Sequence, residues 1–403
     1  MAHPVRKPIL ISGAGLASLL LAQALRKASI PFSIYERDAS LSFRAQGYRL
    51  RLSTEGLDAI ESVLDKDHFA RFWDACGKTG GSGSVALDAI SGEKTNIELP
   101  QAGSNGAKRP NLTLTSRDGK IVGISRGDMR KIFLSGCEDC IHWNHHVTGY
   151  ELTGSGVRVV FSDGSKSEEG DMLIGGEGIK SEVAKQVSNG ALKVFDTGAR
   201  GIHGQAPAKQ FQALGEGVWM MLDRSRAVGS VFTITNVRDG FMNDPDVKLG
   251  WTMGANPGII KAPNNDDATI GKPAADIAKS ITANWSERLK PLFENMDEAE
   301  AAFWKITCST PTGVPEWKNE PRVTVIGDAV HSMTPAGGIG ANTAVRDSAL
   351  LGKLLAEAGG YAESVTAAYE KQMRVYASEA VGTSFGLGKA QWGIHIDENT
   401  PTV

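Results

Sequence analysis

Residues 8–18 read PILISGAGLAS, a short apolar run followed by two glycines and then by leucine and alanine at helical spacing. The spacing predicts a strand over residues 8–12 and a helix over residues 16–29, which Pro31 ends. The next apolar run, residues 32–36, predicts a second strand. Residues 8–36 are therefore predicted to form a strand–helix–strand unit of the kind that opens a parallel sheet.

The glycine turn has the spacing of a dinucleotide-binding turn. Gly13 allows a tight turn, and Gly15 lets the backbone approach a pyrophosphate, whose charge then lies at the positive end of the following helix. Ser18 stands where a third glycine often occurs and is small enough for the helix to pack on the strand. Glu36 ends the second strand, where a carboxylate binds ribose hydroxyls. We predict nucleotide binding here and at the adjacent Arg37; the pattern leaves open whether the nucleotide is FAD or NAD.

A second glycine-rich stretch, residues 325–342, reads VIGDAVHSMTPAGGIGAN. It predicts a strand, a turn with an exposed Asp328, a rigid loop and a helix start whose N–H groups point at an anionic partner. The glycines of the loop indicate close approach by a ligand.

Residues 327–342 match the Gly-Asp-Ala-x-His-x-x-x-Pro-x-x-Gly-x-Gly-x-Asn motif, and by it the chain resembles the class A flavoprotein monooxygenases. That family includes para-hydroxybenzoate and salicylate hydroxylases and many fungal secondary-metabolite enzymes. The resemblance extends across nearly the whole chain. It implies an α/β fold with a Rossmann-like FAD-binding domain and a second substrate domain built of a β-sheet and helices, as in para-hydroxybenzoate hydroxylase. The two glycine-rich stretches would then bind opposite ends of one FAD.

The resemblance also implies roles for single residues. Asp328 would bind the ribityl hydroxyls, Arg126 would contact FAD, and Gly47 would lie on a strand beside the flavin. His331 is expected to be a packed residue and not a catalyst. The turn after the aspartate would place backbone N–H groups near the flavin pyrimidine ring through Gly338, Gly340, Ala341 and Asn342. Pro335 of the same motif is a further candidate for cofactor binding.

A third family motif departs from its usual pattern. Residues 171–184 read DMLIGGEGIKSEVA, where these enzymes carry Asp-x-x-x-Gly-Ala-Asp-Gly-x-x-Ser-x-x-Arg. Glu177 replaces the second aspartate and Ala184 replaces the arginine. Because the motif serves both FAD and NAD(P)H in the family, these changes bear on the nicotinamide donor.

The length predicts two lobes around a cleft, because 403 residues exceed the size at which one core usually stops growing. Strand-like runs between residues 200 and 253 predict a sheet separate from the first. We predict a discontinuous FAD-binding domain over residues 1–73, 120–195 and 310–380, a substrate domain over residues 74–119 and 196–309, and a C-terminal tail over residues 381–403.

The resemblance further implies a reaction. With NADPH or NADH as reductant, FAD and O2 would oxygenate a small aromatic or polyketide-like molecule through a flavin C4a-hydroperoxide. A base or a cation near a phenol would raise the nucleophilicity of its ring, so Arg200, His203 and Tyr48 are the candidate catalytic residues. An apolar pocket for an uncharged, ring-bearing substrate is indicated by Trp219, Met220, Met221, Phe232, Trp251 and Met253.

Other activities on the same scaffold stay open at this point. A flavin-dependent epoxidase or Baeyer-Villiger oxygenase would share every motif. A flavin-binding scaffold or non-redox cyclase that has lost reduction by NAD(P)H is motivated by Glu177 and Ala184. A plain NAD dehydrogenase is opposed by the Gly327-Asp328 pair.

Composition excludes other classes of partner. A net charge of −3 with scattered arginines gives no footprint for nucleic acid. The longest early apolar stretch, residues 16–25, is too short for a membrane span, and no secretory signal is expected. Four cysteines are too few for a disulfide scaffold, and the Cys137–Cys140 pair lacks a second half-site for zinc. We expect no metal, a cytoplasmic location, and a monomer or homodimer that binds a small molecule and O2.

Overall fold

A computed structural model describes residues 6–41, 49–80, 84–96, 116–238, 242–263 and 269–403. The strands are β1 Ile9–Ser12, β2 Phe32–Tyr35, β3 Arg49–Leu52, β4 Gly77–Gly80, β5 Ser84–Asp88, β6 Lys120–Ser125, β7 Ile141–His142, β8 Val147–Leu152, β9 Val157–Phe161, β10 Met172–Gly175, β11 Val194–Pro207, β12 Gly217–Asp223, β13 Val231–Val237, β14 Lys248–Ala255, β15 Ala302–Ser309 and β16 Val323–Val325. The helices are α1 Leu16–Lys27, α2 Thr54–Val63, α3 Lys66–Ala75, α4 Arg126–Leu134, α5 Glu182–Val187, α6 Lys272–Thr282, α7 Pro291–Glu294, α8 Asp328–His331, α9 Gly340–Ala358 and α10 Ser364–Trp392.

The predicted strand–helix–strand start lies at the centre of a five-stranded parallel sheet with the order β16-β10-β1-β2-β7. Strands β1, β10 and β16 are buried along their whole length. Helices α1 and α9 cross closely beside it, because Gly352 has no side chain where it meets Ala24. The carboxyl ends of parallel strands meet at one edge of a sheet. The turns after β1, β10 and β16 are therefore neighbours, although the chain separates them widely.

A three-stranded sheet with the order β3-β6-β4 lies beside this one. Alternate residues of a strand point to opposite faces. One face packs into the core of the nucleotide-binding lobe through Leu52, Val122 and Ile124. The opposite face carries Arg49 and Arg51.

The second lobe is built on a six-stranded sheet with the order β15-β11-β14-β13-β12-β5. Burial alternates strictly along β13, with every second residue fully enclosed. The enclosed face packs against α6 and α7 in a core that includes Trp251, Met253, Ala278 and Phe293. The other face is left for the cleft. The α/β class and the two-sheet architecture predicted from the sequence are confirmed.

The two lobes meet at a small apolar cluster. Ala199 and Ile306 of the six-stranded sheet pack there against Ala336 of the loop after α8 and against Trp392 and Ile394. The end of α10 thus joins the lobes. The sequence led us to expect a tail from residue 381, but α10 continues to Trp392.

The last residues are ordered as well. The backbone of residues 401–403 bonds the first residues of β11, with Asp196 N–H donating to the Pro401 carbonyl at 2.8 Å. These residues are held because their backbone pairs with the edge of β11. Apolar periodicity does not reveal such pairing in a polar segment. The division of the chain into an FAD-binding and a substrate domain remains a prediction.

Candidate functional site

The first glycine turn has the geometry that its sequence predicts. Gly13 adopts φ +85°, and a Cβ there would lie 2.7 Å from the Gly176 carbonyl oxygen. Only glycine fits such a position. No side chain among the described residues caps α1 at Gly15, and the first turn holds no acidic residue. The N–H groups at the start of α1 are therefore left available to an anionic ligand.

Glu36 lies at the end of β2 and is nearly buried. One carboxylate oxygen accepts the Ala14 N–H at 2.7 Å and the other accepts the Asp38 N–H at 2.9 Å. These bonds fix the carboxylate beside the glycine turn. Arg37 is exposed and points to solvent beside Asp38.

Arg130 is a residue that sequence analysis missed. Its guanidinium is almost fully buried and donates to the Ala14 carbonyl at 3.0 Å and to the Leu41 carbonyl at 3.2 Å. It therefore braces the glycine turn from α4. Its place four residues after Arg126, on the same face of a helix, is the signal that could have found it.

The third motif packs directly under the first turn. The Ser18 hydroxyl fills the space that a side chain at position 176 would need, so only glycine fits there. The same close packing explains the small residue at position 18. Glu177 accepts hydrogen bonds from the Ser181 hydroxyl at 2.8 Å and from the Val183 N–H at 3.2 Å. Burial raises its pKa, and these bonds oppose the rise. The glutamate thus directs its carboxylate to the start of α5.

The Gly327–Asp328 turn lies next to the first turn. Gly327 has φ +62°, and a Cβ there would lie 3.3 Å from the Ala17 Cβ of α1. The Ser348 hydroxyl of α9 donates to the Ala17 carbonyl at 2.7 Å. The two glycine-rich stretches, distant in sequence, therefore converge at one edge of the parallel sheet.

Asp328 is exposed, yet neighbouring protein partly desolvates its carboxyl. This partial desolvation raises the pKa of its carboxyl, and the charges of His331 and Arg126 oppose the rise. Arg126, the first residue of α4, thus lies close enough for its charge to act on Asp328. The family resemblance implies that both residues contact FAD.

A buried carboxylate holds this turn from behind. One oxygen of Asp347 accepts the Gly327 N–H at 2.7 Å and lies 2.7 Å from Nε2 of His331, while the other accepts the Tyr376 hydroxyl at 2.6 Å. Burial lowers the pKa of His331, but the charge of Asp347 and its hydrogen bond outweigh that effect and raise it. His331 is fully buried, in keeping with its expected packing role.

The loop after α8 is tied to β3. Asn342 accepts the Ser53 N–H at 2.8 Å and donates to the Arg51 carbonyl at 3.0 Å and the Gly338 carbonyl at 2.9 Å. Arg51 donates from its guanidinium to the Gly337 carbonyl at 2.8 Å. The Asn342 side chain thus shapes the loop, whereas the N–H groups at Gly340 and Ala341 begin α9 without a side-chain cap from the described residues.

The second face of the six-stranded sheet is a partly accessible wall. One row of paired residues crosses it: Met220 pairs with Ile234, Ile234 with Thr252, and Thr252 with His203. Each of the four is partly accessible. The set of apolar residues proposed from the sequence is divided by the alternation of the strands. Met220 and Phe232 face the cleft, whereas the enclosed core contains Trp219, Met221, Trp251 and Met253.

His203 lies in this wall. Its ring stacks on Trp304 with a centroid separation of 4.9 Å, and Nδ1 lies 3.0 Å from the Thr252 hydroxyl. Burial lowers the pKa of His203 to about 3. The imidazole is therefore neutral near pH 7.

Arg200 faces away from this wall. Arg200 pairs in register with Ala255, a member of the enclosed core, so it points to the face opposite the cleft. Its guanidinium contacts both carboxylate oxygens of Asp196, at 2.6 and 2.9 Å. Gly47 and Tyr48 lie outside the described residues. Pro335 is exposed at the start of the loop.

The arrangement fits FAD. A glycine cradle that a side chain would fill lies at the start of α1, an accessible carboxylate follows at Asp328, and a second uncapped helix begins at Gly340. Glu36 would bind the adenosine ribose, the start of α1 the pyrophosphate, Asp328 the ribityl chain, and Gly338 to Ala341 the flavin ring.

This fold and this pair of turns define a flavoprotein built on two sheets. The chain belongs to the FAD binding domain family, whose model matches residues 134–384, more than half of the chain. FAD is the cofactor of that family. None of the described helices is long and apolar enough to cross a bilayer.

Fungal monooxygenases are among its relatives. A dual O-methyltransferase/FAD-dependent monooxygenase of Phaeosphaeria nodorum is 29% identical over 96% of this chain and 46% of its own length. The chain thus spans about half the length of that relative. An FAD-dependent monooxygenase of Trichoderma harzianum is 28% identical over 86% of this chain and 82% of its own length.

Solved structures share the fold. A protein of Photorhabdus luminescens described as an FAD-containing monooxygenase superimposes with a TM-score of 0.73 at 26% identity, over 96% of this chain and 98% of its own. The 2,6-dihydroxypyridine-3-hydroxylase of Arthrobacter nicotinovorans gives a TM-score of 0.71 at 16% identity, over 99% of this chain and 96% of its own, a likeness of fold alone.

Proposed function

We propose that the chain is an FAD-dependent monooxygenase that uses NADPH or NADH and O2 to insert one oxygen atom into a small aromatic or polyketide-like substrate. The observation that carries the proposal is the contact between the Gly327 turn and Ala17 of α1. It brings the pyrophosphate-binding turn and the accessible Asp328 carboxylate onto one edge of a sheet. The proposal places the substrate between that edge and the partly accessible apolar face of the six-stranded sheet.

Bound FAD supplies the activation of O2 by electrons taken from the nicotinamide. The chain supplies position and surroundings. The start of α9 directs uncapped N–H groups and the positive end of a helix dipole at the loop, which favours negative charge there. Arg51 and Asn342 hold that loop in shape, so the donors are fixed before a ligand binds.

The cleft wall would bind the substrate by apolar contact. Met220, Phe232 and Ile234 present partly accessible side chains and exclude water from a ring packed on them. A group with a pKa of about 3 is a weak base, so His203 is assigned to orient the substrate by hydrogen bonding and not to deprotonate it. Arg200 is left out of the proposed site, since it faces away from the cleft.

Hydroxylation is the favoured oxygenation. Relatives from Phaeosphaeria nodorum and two Cercospora species are each named as a dual O-methyltransferase and FAD-dependent monooxygenase. A hydroxylase makes the hydroxyl group that an O-methyltransferase consumes. Epoxidation or Baeyer-Villiger oxidation would not by itself give a phenol for methylation.

A flavin-binding scaffold or non-redox cyclase is the second candidate. It is favoured by Glu177, whose carboxylate caps the start of α5 where the family motif serves FAD and NAD(P)H. If that arrangement prevents productive binding of the nicotinamide, the flavin would stay oxidised.

The test begins with the absorbance spectrum of the purified protein reconstituted with FAD. Anaerobic mixing with NADPH or NADH, with and without aromatic substrates, follows bleaching of the flavin. Substrate-stimulated bleaching and one labelled oxygen atom in the product from isotopic O2 are expected. Bound flavin that no nicotinamide reduces under any condition would favour the scaffold, and failure to bind FAD would exclude both candidates.

A further inference from the structure

Helix α10 presents an exposed side as well as a packed one. Its buried side contributes Tyr369, Met373 and Ala377 to the core of the first lobe. Val375 lies on the other side, with 72% of its surface exposed. A single exposed apolar side chain is common on protein surfaces, so the surroundings of Val375 decide what it means.

Val375 borders an apolar groove. The groove has a volume of about 910 Å³ and lies between α1, α2, α9 and α10. Small apolar residues line much of it, among them Ala24, Ala59, Ala349 and Gly352. The exposed valine therefore continues into a larger apolar surface, which is typical of a contact between proteins.

Two charged residues flank Val375 along the same stripe of the helix. Lys371 lies about one turn before it and Glu379 about one turn after it, and both are exposed. A helical partner of opposite charge would lie three or four residues away, and neither residue has one. Within the part of the chain that the structure describes, neither forms an ion pair elsewhere. The stripe thus runs from a positive charge through an apolar centre to a negative charge.

This stripe is complementary to itself when a second copy of α10 crosses it in the opposite direction. A two-fold axis at Val375 puts each Lys371 opposite the Glu379 of the other copy. The next positions outward bring Ala368 opposite Gly382, and such small residues let two helices approach closely. A parallel arrangement would instead put like charges together.

We propose that this face of α10 is a contact between two copies of the chain, which cross antiparallel about Val375. Each copy would cover the exposed valine of the other and part of the groove beside it. Charge complementarity favours a second copy as the occupant, because one stripe supplies both members of each ion pair. The inference goes beyond the proposed function. It selects the homodimer from the two states expected from the sequence.

Analytical ultracentrifugation of the protein with FAD, over a range of protein concentrations, tests the contact. The variants are Lys371→Glu, Glu379→Lys, the double variant with both changes, and Val375→Glu. Val228→Glu is the matched control, since Val228 is 80% exposed but lies between β12 and β13 in the second lobe. Thermal unfolding of each variant checks that the fold is kept.

A dimer that dissociates on dilution is expected in the native protein. Each single charge reversal puts like charges together at both ends of the stripe, so it should weaken dimerisation about tenfold. The double variant restores opposite charges at both ends and should dimerise like the native protein.

An equimolar mixture of the two single variants should also associate, because one variant carries two acids on its stripe and the other carries two lysines. Val375→Glu should weaken dimerisation about a hundredfold, since each dimer loses the burial of two apolar side chains. Val228→Glu should match the native protein.

Three outcomes would overturn the proposal. A native protein with the mass of one chain at every concentration would leave the groove to a partner of other sequence. A dimer that Val375→Glu and both charge reversals leave intact would place the contact on another surface. If the single variants lose the dimer and neither the double variant nor the mixture recovers it, the antiparallel register is wrong.

Discussion

The imidazole of His331 and the carboxylate of Asp347 lie 2.7 Å apart in the closed interior, and the same carboxylate oxygen accepts the Gly327 N–H. The pair therefore fixes the backbone of the turn that carries Asp328. The exposed Asp328 is thus positioned by the buried Asp347. The turn that carries Asp328 is thus supported by side chains buried behind it.

Asp347→Asn should weaken both the fold and FAD binding. Removing one charge of a buried pair leaves the other uncompensated, at a cost of about 3 kcal/mol in the free energy of unfolding. Chemical denaturation and FAD titration measure the two effects. Glu357→Gln on the same helix is the control, since its pair with Lys353 is mostly exposed and should change stability by less than about 0.5 kcal/mol.

The same pair predicts a pH dependence. The folded pKa of His331 is raised, so its contribution to stability is fully present below the ordinary value of 6.5 and is lost as the pH rises through the folded pKa. Asp347→Asn should flatten this decline in unfolding experiments above pH 6.5. An unchanged slope would mean that the histidine does not ionise in the folded protein.

Gly13→Ala should abolish FAD binding. The new Cβ would meet the Gly176 carbonyl oxygen at 2.7 Å, and the residue would keep an unfavourable φ of +85°. Gly164→Ala has a similar φ of +83° but nothing within 4 Å of its Cβ, so it isolates the conformational cost of about 1 kcal/mol. Flavin retained on desalting distinguishes the two. Equal FAD retention by both variants would contradict the close approach.

The sequence could predict the two glycine-rich turns because the signals for each are local. Residues 8–36 and 327–342 carry glycines, a strand and a helix within short windows, and both folded as expected. Asp347 could not be found in that way, because its partners Gly327 and Tyr376 lie in other elements. Arg130 could have been indicated only by its helical spacing from Arg126. The face that Arg200 occupies could not be predicted either, because only strand register reveals it.

Asp328→Asn should stabilise the protein without FAD and weaken its FAD binding. Partial desolvation raises the pKa of Asp328, so the folded protein binds this proton more tightly than the unfolded chain does. Stability therefore falls as the pH rises from the ordinary carboxyl value through the folded pKa. In the variant this decline should be smaller. Thermal unfolding from pH 4 to pH 7, about the range in which raised carboxyls titrate, tests the sign.

His203→Gln should flatten the acid limb of the stability curve. The folded pKa of about 3 lies below the ordinary value of 6.5, so the neutral ring must be charged as the pH falls and stability is lost below about pH 6.5. Unfolding midpoints measured across this range would be less sensitive to pH in the variant. His395, on the exposed C-terminal segment, provides a control as His395→Gln, which should leave the acid limb unchanged.

Phe232→Ala and Met221→Ala should separate the two faces of one sheet. Phe232 is partly accessible in the cleft wall, so its loss should weaken binding of aromatic probes while stability changes little. Met221 is fully buried beneath α6 and α7, and its truncation leaves a cavity that costs about 2–5 kcal/mol. Probe titration should show the larger loss for Phe232→Ala, and denaturation should show the larger loss for Met221→Ala. Matching losses of stability would place Phe232 in the core and move the cleft elsewhere.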